Sequence, residues 1–552
     1  MALAGHRKKK AYVLVLTLVQ AVSGGLGVLF ALFLRNIVDS AVGRDNGAFR
    51  HNVVLIVALV VLQISLSAVT RWLNELAKSD IENGFKQRLT DNILRKEYSA
   101  VSATHTAEWL NRLTNDTTVV ANGIVEILPG LTGTIVRLVS AVIMVIALDR
   151  MFTAILVPGG VVLCVLAYAF RKTLKRLHKN IQERDGQLRV FLQEHIGSLM
   201  MIKSFVAEEQ TSWEASKVMD DHKAARMRRN RFSNVANVGF AVAMQGMYLL
   251  GVVYCAYGIM SGTVSYGTLT AVMQLIGQIQ GPFVIISGYL PRYYAMTASA
   301  ERLMEIETFA DDETARDADD VYDYYLESFN ALGLRDAGFT YESGDGSPVV
   351  LNGVSVEIRK GEYVAFTGHS GCGKSTVLKL LMCMYPLDHG ERYITGVEGE
   401  IPLDASWRRL FAYVPQGNAL MIGTIREVVS FADSDAAQDE ARIRRALEIA
   451  CADEFVEDLD SVLGERGSGL SEGQMQRLAI ARAVFSDCPV LLLDESTSAL
   501  DDLTEQRLLK NLRAMTDRTV VIVTHRKAAL SICDRVLRFK EAGIEDGSAQ
   551  NG

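Results

Sequence analysis

An all-α domain of six membrane-crossing helices, followed by an α/β domain built around a phosphate-binding loop, is the fold class that this 552-residue sequence predicts. Three observations predict it. Six apolar stretches lie before residue 291, each near the ~20 residues that cross a bilayer core. Residues 1–310 are net basic and the remainder strongly net acidic, although the whole chain stands at −7. Residues 368–376 read GHSGCGKST, between an apolar run and a leucine-rich run.

The apolar stretches fall at about 11–34, 52–73, 127–147, 152–170, 235–259 and 267–290. The first is too long for a cleavable signal, has no convincing small-residue cleavage site and is followed by five similar segments. Connections alternate: short after spans one, three and five, long after spans two and four. Most of the lysines and arginines sit in the N-terminus and the two long loops, which places both termini and both long loops in the cytoplasm. The long loops mix charged and apolar residues with helical spacing. They read as membrane helices continued into water, each pair closed by a short crossing segment.

Inside the spans, Arg137 is a candidate substrate-path residue, or else half of a structural ion pair with Glu126 or a carbonyl acceptor. Gln274 and Gln278 lie one helical turn apart and line a cavity or join helices by hydrogen bonds. Domain boundaries are expected at 1–310 for the membrane domain, 311–326 for an acidic solvated linker and 327–552 for the α/β domain. Seven cysteines, an odd number without a CxxC pair, argue against a zinc site or a disulfide framework and fit reduced thiols facing a cytosol better.

The nonapeptide carries the chemistry of the back half. Gly368, Gly371 and Gly373 let backbone N–H groups turn inward on a phosphate, and the helix that follows adds its positive end. Lys374 supplies a point charge for the outer phosphates; Ser375 offers a hydroxyl to Mg²⁺. His369, Ser370, Cys372 and Thr376 complete the ATP-binding loop. Cys372 stands beside Lys374 at a helix N-terminus, a setting that favours the thiolate. Downstream, the buried run 490–493 ends in Asp494, a Mg²⁺ ligand, and Glu495, which is placed to polarise an attacking water. Another strand ends at Thr524 and His525, beside the same sheet edge. LSEGQ at 470–474 opens a helix with a capping box between Ser471 and Gln474, and aims that helix's positive end outward.

GHSGCGKST, YVPQ at 413–416, LSEGQ, LLLDEST at 491–497 and VTH at 523–525 occur in the order and spacing of an ATP-binding cassette. With six spans and two long loops ahead of it, the chain resembles a half-transporter of the ABC exporter fold. NRLTND at 111–116 and ASAERLMEI at 298–306 are similar to that family too. The resemblance implies ATP and Mg²⁺ as cofactors, catalysis by Glu495 and His525, and a second half-transporter, self or paralogue, as partner. It places ATP between one cassette's phosphate loop and the partner's Ser471, Gly473 and Gln474. It assigns adenine stacking to Tyr341 (a core tyrosine being the other reading), Mg²⁺ sensing to Gln416 and cross-dimer communication to Asp501. The loop tips near 99–112 and 194–204 become coupling helices. Glu472 departs from the glycine more usual at its position. The usual last helix of the cassette and an N-terminal elbow helix are expected to be missing.

The expected function is an ATP-driven, multi-pass transporter subunit of a bacterial plasma membrane. Its cassette faces the cytoplasm, and its cargo is a small amphipathic molecule, lipid or peptide. Import of metal–siderophore complexes is the alternative within the class. A nucleotide-gated channel or regulatory ATPase is the rival outside it. Nucleic acid is excluded as a partner by the six spans.

Overall fold

The computed structural model describes residues 2–341, 349–417, 420–464, 467, 469–540 and 543–548. The chain divides into two compact units, residues 1–88 with 111–303, and residues 89–110 with 304–552.

The front part of the chain is helical throughout: α1 (Ala2–Val42), α2 (Asn46–Arg95), α3 (Tyr98–Ser102), α4 (Thr106–Asn111), α5 (Thr117–Leu148), α6 (Arg150–Gly197), α7 (Leu199–Ser204), α8 (Glu208–Met260) and α9 (Tyr266–Glu305). Among the described residues, α1, α2, the stretch Thr106–Leu148 and α8 carry segments long and apolar enough to cross a membrane. The expected spans 152–170 and 267–290 lie within α6 and α9. The side chains of 155–169 are outside the described residues. As the spacing predicts, α2, α6 and α8 run on well beyond bilayer length, and the short α3 and α7 occupy the loop tips.

Small residues bring α1 and α5 together. A Cβ on Gly24 would meet the Gly133 carbonyl oxygen at 2.5 Å, and one on Gly133 would meet that of Gln20 at 2.9 Å. Such close backbone approach gives van der Waals packing where lipid offers no hydrophobic drive. Gln278 Nε2 donates to the Gly27 carbonyl at 2.5 Å and Gln280 Nε2 to that of Met244 at 3.0 Å. These amides join helices, which takes Gln278 to the second of its two sequence readings. Arg137 and Gln274 are exposed on α5 and α9. Glu126 pairs with Arg292 at 2.8 Å, so it is not the partner that the sequence offered for Arg137.

The two short loop motifs meet. Asp116, the last residue of NRLTND, is fully buried. It accepts hydrogen bonds from Ser299 Oγ at 2.8 Å and from Arg302 Nε and Nη2 at 2.8 and 2.6 Å. Arg112 Nη1 donates to the Arg302 carbonyl at 3.1 Å. A carboxylate out of water needs this degree of pairing.

In the second unit the chain forms α10 (Ala318–Glu327), β1 (Phe329–Thr340), β2 (Val349–Arg359), β3 (Tyr363–Thr367), α11 (Lys374–Leu381), β4 (His389–Gly396), β5 (Gly399–Pro402) and β6 (Phe411–Val414). There follow β7 (Gly423–Thr424), α12 (Ile425–Val429), α13 (Glu440–Ile449), β8 (Val462–Leu463), α14 (Glu472–Phe485), β9 (Val490–Asp494) and α15 (Asp502–Arg513). The last elements are β10 (Thr519–Val523), α16 (Lys527–Ser531), β11 (Arg535–Lys540) and β12 (Gly543–Ser548). One sheet has the order β12-β11-β3-β10-β9-β6, parallel except for β12; an antiparallel sheet has the order β2-β1-β4-β5. The inner strands β9 and β10 are buried at every position, as a sheet covered on both faces demands. Their alternating side chains feed two cores, Leu491, Leu493 and Ile522 on one face, Leu492, Val521 and Val523 on the other.

Two features of this unit differ from the sequence reading. Half of the stretch 311–326 is ordered structure rather than solvated linker. Asp311 pairs with Lys96, Asp312 with Arg408, and α10 buries Val321 and Tyr325 in the core. The loop tip 89–110 belongs to this unit because its aromatics pack there. Tyr98 meets Tyr385 edge-on at 5.6 Å and Trp109 meets Phe309 at 6.4 Å.

Candidate functional site

Parallel strand order places the carboxyl ends of β3, β10, β9 and β6 side by side, and each end delivers part of the site. The register pairs Val523 with both Phe366 and Asp494, and Val414 with Leu493. The phosphate loop, Asp494–Glu495, Thr524–His525 and Gln416 therefore all emerge along one edge.

After β3 the loop turns through Gly368, Gly371 and Gly373 at φ of 142°, 84° and 93°. These values favour glycine, and Gly373 leads directly into α11. Lys374 is 5% exposed, and its Nζ folds back onto the Gly368 and His369 carbonyls at 2.7 and 2.9 Å. Ser375 Oγ donates to Asp494 Oδ1 at 2.9 Å, and the Tyr413 hydroxyl donates to Asp494 Oδ2 at 3.1 Å. Burial pushes the Asp494 carboxyl above its usual range, Glu495 adds to the rise, and the two hydroxyls pull the other way. Burial and the facing Asp494 raise the Tyr413 phenol far above its ordinary value, so it stays a donor. Glu495 is half-buried with φ of 50°, and Oε2 accepts Gln416 Nε2 at 2.7 Å. His525 is exposed one residue past Thr524.

LSEGQ leads into α14, with Ser471 and Glu472 exposed. Ser471 and Gln474 close the expected capping box, with Ser471 N donating to Gln474 Oε1 at 2.8 Å and Gln474 N to Ser471 Oγ at 3.3 Å. Among the described residues, Ser471, Gly473 and Gln474 make no hydrogen bond to the phosphate loop. Glu472 is exposed in the helix's first turn, where a carboxylate complements the positive end. Gly473 packs on the turn ahead of α15: a Cβ there would meet the Ala499 carbonyl oxygen at 2.9 Å. Asp501 caps α15, accepting Thr504 N at 3.0 Å.

Tyr341 is half-buried. Its hydroxyl lies 3.3 Å from Thr376 Oγ1, and its ring meets Phe339 and Tyr385 edge-on at 4.7 and 5.3 Å. Tyr341→Ala is expected to raise the KM for ATP several-fold, on the scale of roughly 1–3 kcal/mol for stacking on a base, while Tyr341→Trp keeps it. Equal loss in a steady-state ATPase titration of both variants would make Tyr341 a core residue.

Cys372 Sγ stands 3.6 Å from Lys374 Nζ, half-buried in the loop. Burial disfavours the thiolate at the other cassette cysteines. Burial pushes Cys383 up to about 11 and Cys533 up to about 12, and raises Cys451 and Cys488. A maleimide is therefore expected to inactivate the ATPase, ATP to protect it, and Cys372→Ala to remain active and become insensitive. Unchanged inactivation of Cys372→Ala would move the liability to another cysteine.

Tyr413, Gln476 and Arg526 escaped the sequence reading. Tyr413 lies inside the quoted YVPQ, and a tyrosine at the end of a buried strand needs a partner for its hydroxyl. Gln476 lies two residues past LSEGQ; its Oε1 accepts Ala499 N and its Nε2 donates to Ser498 Oγ, both at 3.1 Å. Only adjacency to His525 marked Arg526.

Comparison with known proteins matches residues 13–283 to the family model described as ABC transporter transmembrane region, and residues 351–498 to the model described as ABC transporter. The multidrug resistance ABC transporter ATP-binding and permease protein of Lactococcus lactis subsp. lactis is 27% identical over 539 residues, 96% of this chain and 89% of that protein. The ATP-dependent lipid A-core flippase of Mannheimia succiniciproducens is 28% identical over 528 residues, 93% of this chain and 88% of that protein. Among solved structures, a bacterial Atm1-family ABC exporter with ATP bound shares the fold with a TM-score of 0.79. It is 21% identical, with 98% of this chain and 95% of that one covered.

Proposed function

The chain belongs to the ABC transporter family as an exporter-type half-transporter, a membrane region fused to its own ATPase, and on that premise we propose how its site and its cargo path work. It is a multi-pass membrane protein and an ATP-driven exporter, with an ATPase that binds ATP and is coupled to transport. Relatives named for multidrug resistance and lipid A-core flipping favour export over the import and channel readings.

One observation carries the site assignment: Lys374, Ser375, Asp494, Glu495 and Gln416 gather at one sheet edge, while Ser471, Gly473 and Gln474 make no hydrogen bond to them among the described residues. A single chain therefore holds half of each composite site, and two chains are needed to close ATP between the phosphate loop of one and the LSEGQ of the other. The partner is a second copy or a paralogue. Ser375 and Asp494 offer the hard oxygen donors that suit Mg²⁺, which neutralises phosphate charge when bound. Lys374 leaves the loop carbonyls for the β- and γ-phosphates. Glu495 accepts the proton of the attacking water, His525 contacts the γ-phosphate, Gln416 releases Glu495 as nucleotide arrives, and Tyr341 stacks on adenine. The membrane is a bacterial plasma membrane with the cassette in the cytoplasm.

The cargo is a small amphipathic molecule, lipid or peptide, as the names of the multidrug and lipid A-core relatives suggest. Arg137 and Gln274, exposed on α5 and α9, are the path residues; Gln278 is spent on helix packing. The test is the chain purified alone and reconstituted in vesicles. A stable dimer, ATPase stimulated by a fluorescent short-chain phospholipid or a lipophilic dye, and ATP-dependent flux of that probe support the reading. A monomer without ATPase makes the partner an obligatory paralogue; robust ATPase unmoved by either probe overturns the cargo class.

A further inference from the structure

Arg526 makes more polar contacts than a residue with no assigned task requires. Its Nη1 donates to the Thr497 and Leu500 carbonyls at 3.0 and 2.8 Å. The same nitrogen pairs with Glu505 Oε2 at 2.9 Å, and Nη2 lies 3.8 Å from Asp502 Oδ1. Glu505 is 1% exposed and also accepts Thr497 Oγ1 at 2.8 Å. Arg526 N donates to Thr524 Oγ1 at 3.0 Å, which ties the guanidinium's own backbone to the end of β10.

All the acceptors on the far side belong to one stretch of chain, the turn that starts after Glu495 and the first turn of α15. Beyond the sheet register, the only other backbone link between the two strand ends among the described residues is Glu495 N to the Val523 carbonyl, at 3.1 Å. From the opposite side the turn is gripped by Gln476 through Ala499 N and Ser498 Oγ. A turn held at both flanks cannot drift without dragging the residue before Arg526, which is His525. A lysine carries its three donors on one nitrogen but ends one bond short of Nη1, so it would not reach the two carbonyls and Glu505 without moving its backbone, and it has no second nitrogen for Asp502.

We propose that Arg526 is a positioning residue for ATP hydrolysis: it locks the turn that follows Glu495 to the backbone of His525, so that both groups meet the γ-phosphate in register. This rests on the roles given above to Glu495 and His525. Arg526 acts by fixing His525 against the turn that Glu495 begins, so its effect on hydrolysis runs through His525.

The experiment is a kinetic cycle on the full chain in nanodiscs. Arg526→Met with Glu505→Gln removes cation and carboxylate together, so no buried charge is orphaned. The pair is expected to lower kcat about a hundredfold, the loss that a ~1 Å misplacement brings, with little change in KM for ATP. Arg526→Lys is expected to recover part of the rate and to keep the thermal midpoint of the parent. In a His525→Ala background the Arg526/Glu505 pair should add little further loss, because the route it supports is already gone. Losses that multiply across that background would show an independent, merely structural role and overturn the proposal. An impaired His525→Ala beside a fully active Arg526/Glu505 pair overturns the proposal alone. A fully active His525→Ala overturns the proposal and the reading of His525 together. Should the paired variant fail to fold, Arg526→Lys decides: full kcat there removes the reach argument and overturns the proposal.

Discussion

Glu495→Gln is expected to stop steady-state ATP hydrolysis while leaving ATP binding intact. The glutamine keeps the length and the oxygen that meets Gln416 Nε2, a contact made at 2.7 Å by the native carboxylate. What it cannot do is take the proton of an attacking water, a contribution of about 10²–10⁴-fold to the rate. The backbone at this position stands at φ of 50°, unfavourable for a side-chain-bearing residue, and the substitution does not relieve that. The change therefore removes the proton acceptor and the charge that Asp494 feels, and leaves the backbone as it was. With hydrolysis blocked, ATP should hold two cassettes together, giving an ATP-dependent dimer that persists through gel filtration. Phosphate release measured at saturating ATP checks the prediction. A variant that retains a tenth or more of the parent rate would remove Glu495 as the main base and send attention to His525 at the same edge.

The sequence exposed those parts of the molecule whose chemistry confines them to short, contiguous spacing. A phosphate loop must put three glycines, a lysine and a hydroxyl within nine residues, so GHSGCGKST was readable before any fold was known. Buried parallel strands read equally well, because both faces are covered and the apolar run is continuous, as in 490–493. Length gave the extended helices α2, α6 and α8. Contacts between distant segments did not show. Asp116 and Arg302 belong to motifs about 190 positions apart, and each looks like an ordinary surface charge until the fold joins them. Tyr413 reads as a strand residue until its hydroxyl is seen on Asp494. Composition alone reads the acidic stretch after 310 as solvated. Ion pairs with Lys96 and Arg408, and the apolar stripe Val321–Tyr325, keep it ordered instead. Gln278 could not be assigned from spacing, since a polar side chain facing a cavity and one bonding a neighbouring helix share the same period.

Lys374→Ala is expected to act on nucleotide affinity with little cost to the empty protein, and the reason is the state in which the lysine waits. It is 5% exposed, and its Nζ is held by two backbone carbonyls, at 2.7 and 2.9 Å. No carboxylate lies within ion-pair distance among the described residues, so the burial of that charge is compensated only by dipoles. Removing the side chain frees two carbonyl acceptors that border an open loop and can turn to water. It also removes the desolvation cost of the cation, so the two changes offset each other in the absence of nucleotide. With ATP bound the balance differs. Charge-assisted hydrogen bonds to phosphate are worth roughly 1.5–3 kcal/mol, or about ten- to a hundred-fold in Kd. The variant should therefore keep the parent's thermal midpoint without nucleotide and lose most of the rise that saturating ATP gives the parent, since that rise follows ligand concentration over Kd. Measuring both midpoints across an ATP series separates the two effects. A large drop in the empty protein's midpoint would mean that Lys374 is chiefly a structural clasp for the Gly368–His369 turn. An undiminished ATP shift would show that the phosphates are held by the loop's backbone N–H groups and the start of α11 without it.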